Sequence, residues 1–199
     1  MIKTILSSIR KVVNKMYGCF IQKTLDTFSI LVDSREQKNE RAQLRYQQFG
    51  TTPYDRATLD IGDYTYDAIL PSGKHIVDRE RGAITPRCVI ERKMNADELI
   101  SNIIGRHNKD RFKRELERAK AANCKLHLIV EDATWADIFN GNYRSQIEPE
   151  VLLSYLTAYQ AHYNMQINFI SREHSGELIK ALLYYDLCER LRNGEFDGK

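Results

Sequence analysis

The stretch Arg87-Cys-Val-Ile-Glu-Arg-Lys93 sets the reading of the whole chain. Cys88 to Ile90 form the apolar centre of a run of strand length. The charged residues that follow alternate across its two faces, so Glu91 and Lys93 point one way and Arg92 the other. From Asn95 the period changes, and Asn95 to Ala122 reads as a long helical stretch broken near Gly105. Lys125-Leu-His-Leu-Ile-Val130 is a strand again. Upstream, Phe28-Ser-Ile-Leu-Val-Asp33 is a short apolar run of strand length and Glu36 to Phe49 a polar helix stopped by Gly50. Ala57 to Ile61 and Tyr64 to Leu70 read as two strands around Gly62-Asp63. Downstream, Pro149 to Tyr163 is a helix, Gln166 to Ile170 a last strand and Glu173 to Arg192 a closing helix. Strands separated by helices predict an α/β fold, a mixed sheet flanked by helices.

With 199 residues, 42% of them hydrophobic, the chain is long enough to bury a core without disulfides or a structural metal. Cys19, Cys88, Cys124 and Cys188 are far apart and form no CxxC pair, so free thiols in a reducing compartment are expected. No apolar run approaches the roughly 18 residues of a membrane span. Residues 1–27 stand apart, with five basic residues against Asp26 alone. Their apolar positions, from Ile2 to Ile21, recur at the spacing of one amphipathic helix. Such a helix packs on the domain or on a second subunit; contact with phosphate or an anionic membrane surface is the sharper alternative, and a transit peptide a third. Arg10, Lys11 and Lys15 interrupt the apolar stretch that a secretory signal needs, so an intracellular protein is expected, cytoplasmic or nucleoid-associated.

The chain has no GxGxxG, GxxxxGK[ST], GxSxG or HExxH, which removes the usual signals of dinucleotide, nucleotide-hydrolysis, serine-hydrolase and zinc-protease chemistry. What remains is a set of acids at strand ends: Asp33, Asp63 and Glu91, with Lys93 two residues beyond. Carboxylates brought together repel unless protonated or bridged by a cation, and hard oxygen donors suit Mg²⁺ or Mn²⁺. A cation so held polarises a phosphodiester and activates water, and a neighbouring lysine positions that water or stabilises developing charge. Phosphodiester hydrolysis fits this set. The bland alternative is a solvated strand end carrying a surface ion pair.

The order of these residues is more specific. Ile30-Leu-Val-Asp33-Ser-Arg35-Glu36, then Gly62-Asp63-Tyr64, then Val89-Ile-Glu91-Arg92-Lys93 with Asp97, Ser101 and Gly105-Arg106 behind it, resembles the nuclease domain of the XPF family of structure-specific DNA endonucleases. That family carries a VDxRE segment, a GD(Y/F) turn and an ERKxxxD block. The resemblance covers residues 28–192 and implies a restriction-endonuclease-like core over residues 28–199 behind the basic segment 1–27. It further implies that Asp63 and Glu91 bind the metal with Asp33 a further acid at the same cation. Lys93 matches the catalytic lysine, while Arg35, Glu36 and Arg92 shape the site or contact phosphate. Asp97 matches the last motif acid, and a favourable helix N-terminal charge is its plain alternative. Active relatives carry or borrow tandem helix-hairpin-helix modules after the nuclease domain. With the sequence ending at Lys199, neither such a module nor a helicase part is expected. Junction recognition then falls to the nuclease domain, the N-terminal helix, a second subunit or a recruiting protein.

Residues 105–125 hold eight basic residues against three acidic ones. Ser101, Arg106, Lys109, Arg111, Lys113 and Arg114 are the expected DNA contacts, a solvated helix face being the alternative. Tyr143, Arg144, Tyr155, Tyr159 and Tyr163 offer stacking surfaces for unpaired bases, although the helical spacing of the last three favours packing, as does the single Trp135. The expectation is a Mg²⁺- or Mn²⁺-dependent DNA endonuclease, homodimeric, cutting near branched or single/double-strand junctions, with a bacterial or viral repair or recombination role compatible. Two alternatives stand beside it: a DNA-binding scaffold that keeps the fold without catalysis, and a simpler exonuclease or restriction-like nuclease of the same core.

Overall fold

The computed structural model describes residues 18–80, 82–105 and 108–196. Most of the expected N-terminal helix therefore lies outside the described residues. Residues 18–25 are helical and pack Phe20, Ile21 and Leu25 against the core.

Six strands form one sheet: β1 (Ser29–Asp33), β2 (Tyr54–Ala57), β3 (Tyr64–Asp67), β4 (Cys88–Lys93), β5 (Lys125–Glu131) and β6 (Gln166–Ile170), in the order β2-β1-β3-β4-β5-β6. β3 is antiparallel to both its neighbours, whereas β1 with β2, β4 with β5, and β5 with β6 pair in parallel. The parallel pairs are joined by helices: α1 (Glu40–Gln48) between β1 and β2; α2 (Ala96–Ile104) and α3 (Asn108–Ala121) between β4 and β5; and α4 (Trp135–Asn140) and α5 (Pro149–Tyr163) between β5 and β6. A single 3₁₀ turn, Arg172–His174, leads into α6 (Ser175–Arg192).

Alternation along the strands builds two cores. Ile90 and Ile129 face a cluster with Phe49, Ile179, Leu183 and Leu187 from the α1 and α6 side. Val89, Leu126, Leu128 and Val130 face Leu99, Phe112, Leu116, Leu152 and Leu156 from α2, α3 and α5. Both faces of the central strands are thus covered, which is why β4 and β5 read as continuous apolar runs.

Several expected boundaries move. The helix after β1 starts at Glu40, because the Asn39 side chain accepts from the Ala42 N–H and caps it there. The strand expected at Ala57 to Ile61 is displaced to Tyr54–Ala57, and Leu59 keeps only an isolated parallel bridge to Ile84. Leu59 and Ile61 are nevertheless fully buried, so the alternating pattern reported burial correctly and the ladder wrongly. α4 was not expected. It is only 6 residues long, and is marked by a Thr134–Asp137 capping box and a left-handed Gly141 at its C-terminus. Trp135 packs edge-on against Phe169, and Tyr163 is buried with Tyr155 and Tyr159 partly buried against the same core.

Candidate active site

Because β3 runs against β1 and β4, and β5 runs with β4, the C-terminal ends of β1, β4 and β5 and the start of β3 meet at one edge of the sheet. Asp33, Asp63, Glu91 to Lys93 and Glu131 all sit there. Gly62 makes the entry to β3 in the left-handed region, at φ +69°, and a side chain there would run into Val89 and the Ile90 carbonyl. This turn fixes Asp63. Its N–H donates to the Ile90 carbonyl at 2.8 Å, and its Oδ2 accepts from the Arg92 N–H at 2.8 Å. Asp63, Glu91, Lys93, Arg35, Glu36, Arg92 and Arg111 line a polar cleft of about 340 Å³.

Glu91 and Lys93 share the α3 face, as alternation requires. The Lys93 ammonium donates to Glu91 Oε1 and lies 5.0 Å from the centre of the Phe112 ring. Both groups are almost fully buried. Burial pushes the Asp63 carboxyl up, and the neighbouring Glu91 and Glu36 push it further. Burial likewise pushes Glu91 up to about 7; Lys93 opposes this, whereas the carboxyl of Glu115 adds to it. For Lys93, burial pulls the ammonium down but Glu91 and Asp63 outweigh it and hold the proton more tightly than usual. The cluster therefore carries more acid than its one lysine balances.

That imbalance is what a hard divalent cation relieves. Among the described residues no three carboxyl, imidazole or thiol groups form a ready cage. Mg²⁺ is commonly held by one or two carboxylates, with water and substrate phosphate completing the shell, so Asp63 and Glu91 fit it.

On the opposite face, Arg92 turns toward a buried ion network that sequence reasoning missed. Arg45 of α1, 1% exposed, donates to Glu36 Oε1 at 2.6 Å, to Glu131 Oε1 at 3.0 Å and to the Tyr64 hydroxyl at 2.9 Å. Arg92 lies 3.6 Å from Glu36 and 3.5 Å from Glu131, and neither its Nε and Nη1 nor Glu131 Oε2 makes a hydrogen bond. Glu115 was missed too; its Oε1 accepts the Gly62 N–H at 2.8 Å and so braces the turn that presents Asp63.

The other expected site residues divide. Asp33 is buried beneath Arg35 and stays out of the Asp63–Glu91 group: its carboxylate takes Arg35 Nε at 2.9 Å, Arg35 Nη2 at 2.6 Å and the N–H groups of Arg35 and Leu59. With those donors it orients Arg35, whose Nη2 also donates to the Leu59 carbonyl. Asp97, on the first turn of α2, faces the 141–148 loop and accepts the Arg144 N–H at 2.8 Å. Ser101 accepts from the Asn108 amide between α2 and α3. Arg111 lines the cleft, Lys113 and Arg114 are exposed on α3, and Lys109 lies 5.6 Å from the Tyr155 ring centre. Arg106 lies outside the described residues.

The ERCC4 domain family matches residues 32–182. Among solved structures, the chain is similar to XPF from Aeropyrum pernix, at 18% identity and a TM-score of 0.53 over 79% of this chain and 61% of that one. It is also similar to XPF from Aeropyrum pernix in complex with DNA, at 16% identity and a TM-score of 0.53 over 86% and 75%. The chain thus spans about three fifths of the length of the first of these. No curated protein matches it by sequence. The six-stranded mixed sheet between two helical layers is the restriction-endonuclease-like α/β fold, and with the family match running over most of its length, the chain belongs to the ERCC4 domain family.

Proposed function

We propose that this chain is a divalent-metal-dependent DNA endonuclease hydrolysing phosphodiester bonds near a branch or a single/double-strand junction. The observation that carries the reading is the pair of acids, half-buried Asp63 and buried Glu91, crowded against one lysine in a polar cleft. Family membership joins this chemistry to DNA, and one of the similar XPF structures is a complex with DNA.

Asp63 and Glu91 are the proposed ligands of Mg²⁺, with Mn²⁺ able to substitute. An ion held by these two carboxylates would offset their charge and would supply Lewis-acid polarisation of the phosphodiester and a more acidic water. Lys93 is already charged at the required point, and its ammonium orients the attacking water or donates to the phosphorus oxygens as negative charge grows on them. Arg35, set by Asp33, and Arg111 face the cleft and supply cations for phosphate, while Arg92 shapes its wall from the side of Glu36 and Glu131. Glu36 ties Arg45 and Tyr64 beneath them. Asp97 supports the 141–148 loop. A second copy of the chain and a recruiting protein belong to the proposal as contributors to junction grip, and its setting is intracellular.

A cleavage panel of flap, fork, four-way junction, single strand and duplex, with and without Mg²⁺, tests it. Branched substrates should be cut in preference to duplex, and only with the ion. Asp63→Asn and Glu91→Gln should each lower cleavage by about a hundredfold or more while sparing the fold. Lys93→Ala should slow the chemical step by about 10²- to 10⁴-fold with Mn²⁺ binding kept. DNA binding without cleavage by the unaltered protein would favour the scaffold alternative.

A further inference from the structure

Beside the polar cleft lies a second and larger cavity, about 570 Å³, whose character differs. Met94, Ile100 and Ile104 make an apolar floor, and Met94 and Ile104 are 39% and 38% exposed. Ser101 and Ser145 contribute hydroxyls, and the Arg144 side chain, 95% exposed, stands at the rim. The two cavities adjoin, with Met94 and Glu98 forming part of the wall of each. That wall is pinned: the Met94 N–H donates to Glu98 at 2.6 Å, and Arg41 donates to the Met94 carbonyl at 3.2 Å.

We propose that this groove seats an unpaired nucleobase of the strand whose phosphodiester occupies the cleft. The inference rests on the nuclease reading and adds to it the device that tells an unpaired strand from a duplex. A nucleotide joins a charged phosphate to a flat ring with apolar faces, and the adjoining cavities divide in the same way, polar at Asp63, Glu91 and Lys93 and apolar at Met94, Ile100 and Ile104. The acids on the groove wall are engaged, Asp97 by the Arg144 N–H and, at 3.8 Å, its guanidinium, and Glu98 by the Met94 N–H. With Asp97 and Glu98 against Arg144, the lining keeps one formal negative charge, which admits an uncharged base and repels a second phosphate. A base in a duplex enters only by leaving its stack, at a cost of a few kcal/mol, whereas a base beyond a junction has already left it. Arg144 at the rim stacks on the ring or pairs with the next phosphate.

The test is equilibrium binding in EDTA, where no cutting occurs, of a flap DNA carrying 2-aminopurine at its first unpaired position and of a duplex of equal length. Unaltered protein is compared with Ile104→Ser and with the double variant Ile104→Ser/Arg144→Ala, each checked for folding by circular dichroism. The double variant should bind the flap about tenfold more weakly, bind the duplex within about twofold of the unaltered protein, and lose the 2-aminopurine response. Parallel weakening of both DNAs, or an unchanged 2-aminopurine response in the double variant, overturns the proposal. So does a variant whose sedimentation shows a lost dimer, since the groove then covers a second chain. An unaltered protein that cuts junctions but gives no 2-aminopurine response sinks the groove alone, and one that binds neither DNA sinks the nuclease reading with it.

Discussion

At Asp63, burial and two neighbouring acids act in the same direction, and the proton is held far more tightly than in an unfolded chain. The sign follows from linkage. A carboxyl whose folded pKa is raised contributes stability that is fully present below the unfolded pKa, about 4, and is lost as pH rises from there to the folded pKa, because ionisation in the fold is the costly step. Asp63→Asn keeps an oxygen for the Arg92 N–H and removes the charge. In metal-free protein it should therefore stabilise by about 1–3 kcal/mol at pH 8 and by much less at about pH 4, read from urea midpoints at the two pH values. A midpoint lowered equally at both would contradict the electrostatic account. Asp63, Glu91 and Lys93 were picked out in the sequence because the VDxRE-like, GDY and ERK segments stand in one order along the chain, the spacing of the three residues alone being common. Glu131, Arg45 and Glu115 were not, since a charged residue in a strand or polar helix reads as solvent-facing until partners 86, 19 and 53 positions away turn it inward.

β5 shows what an element tolerates and what sequence patterns report about it. His127 at its centre is 1% exposed, and neither ring nitrogen has a partner. Burial, reinforced by Lys125, lowers its pKa to about 4. For a base with a depressed folded pKa the unfolded chain binds the extra proton, so stability falls as pH drops from about 6.5 toward 4. His127→Leu removes both the unmet polar atoms and this titration. It should raise the thermal midpoint at pH 5 by several degrees, on the order of 1 kcal/mol, and flatten the acid side of the stability profile. β5, β6, α5 and the split between α2 and α3 were readable because each has a clear period and a clear stop. The Ala57 to Ile61 segment misled because the apolar spacing of a strand is shared by a buried loop; here Asp33 and Arg35 hold the Leu59 backbone in place of a neighbouring strand. α4 escaped because 6 residues cannot display a helical period.

Across the whole molecule the charge is segregated although the total is only +3. The acids gather at the sheet edge, and Arg111, Lys113 and Arg114 project from the neighbouring α3, with Arg111 inside the cleft. If these three meet phosphates, replacing each with alanine should reduce the slope of log affinity against log salt by about one unit, measured on one DNA across a salt series. An unchanged slope would return them to a solvated face. No described helix is long and apolar enough to cross a membrane. The Arg45 anchor bears also on the order in which the molecule is made. Arg45 binds Glu36 at a separation of 9 residues but Glu131 only at 86. A chain emerging from synthesis thus possesses Asp63 and Glu91 before the strand whose Glu131 holds Arg45, and closing so long a loop is expected to come late in folding. A fragment that ends before Glu131 is then expected to leave Arg45 without one of its two carboxylate partners, which limited truncation followed by circular dichroism would show as a lowered thermal midpoint.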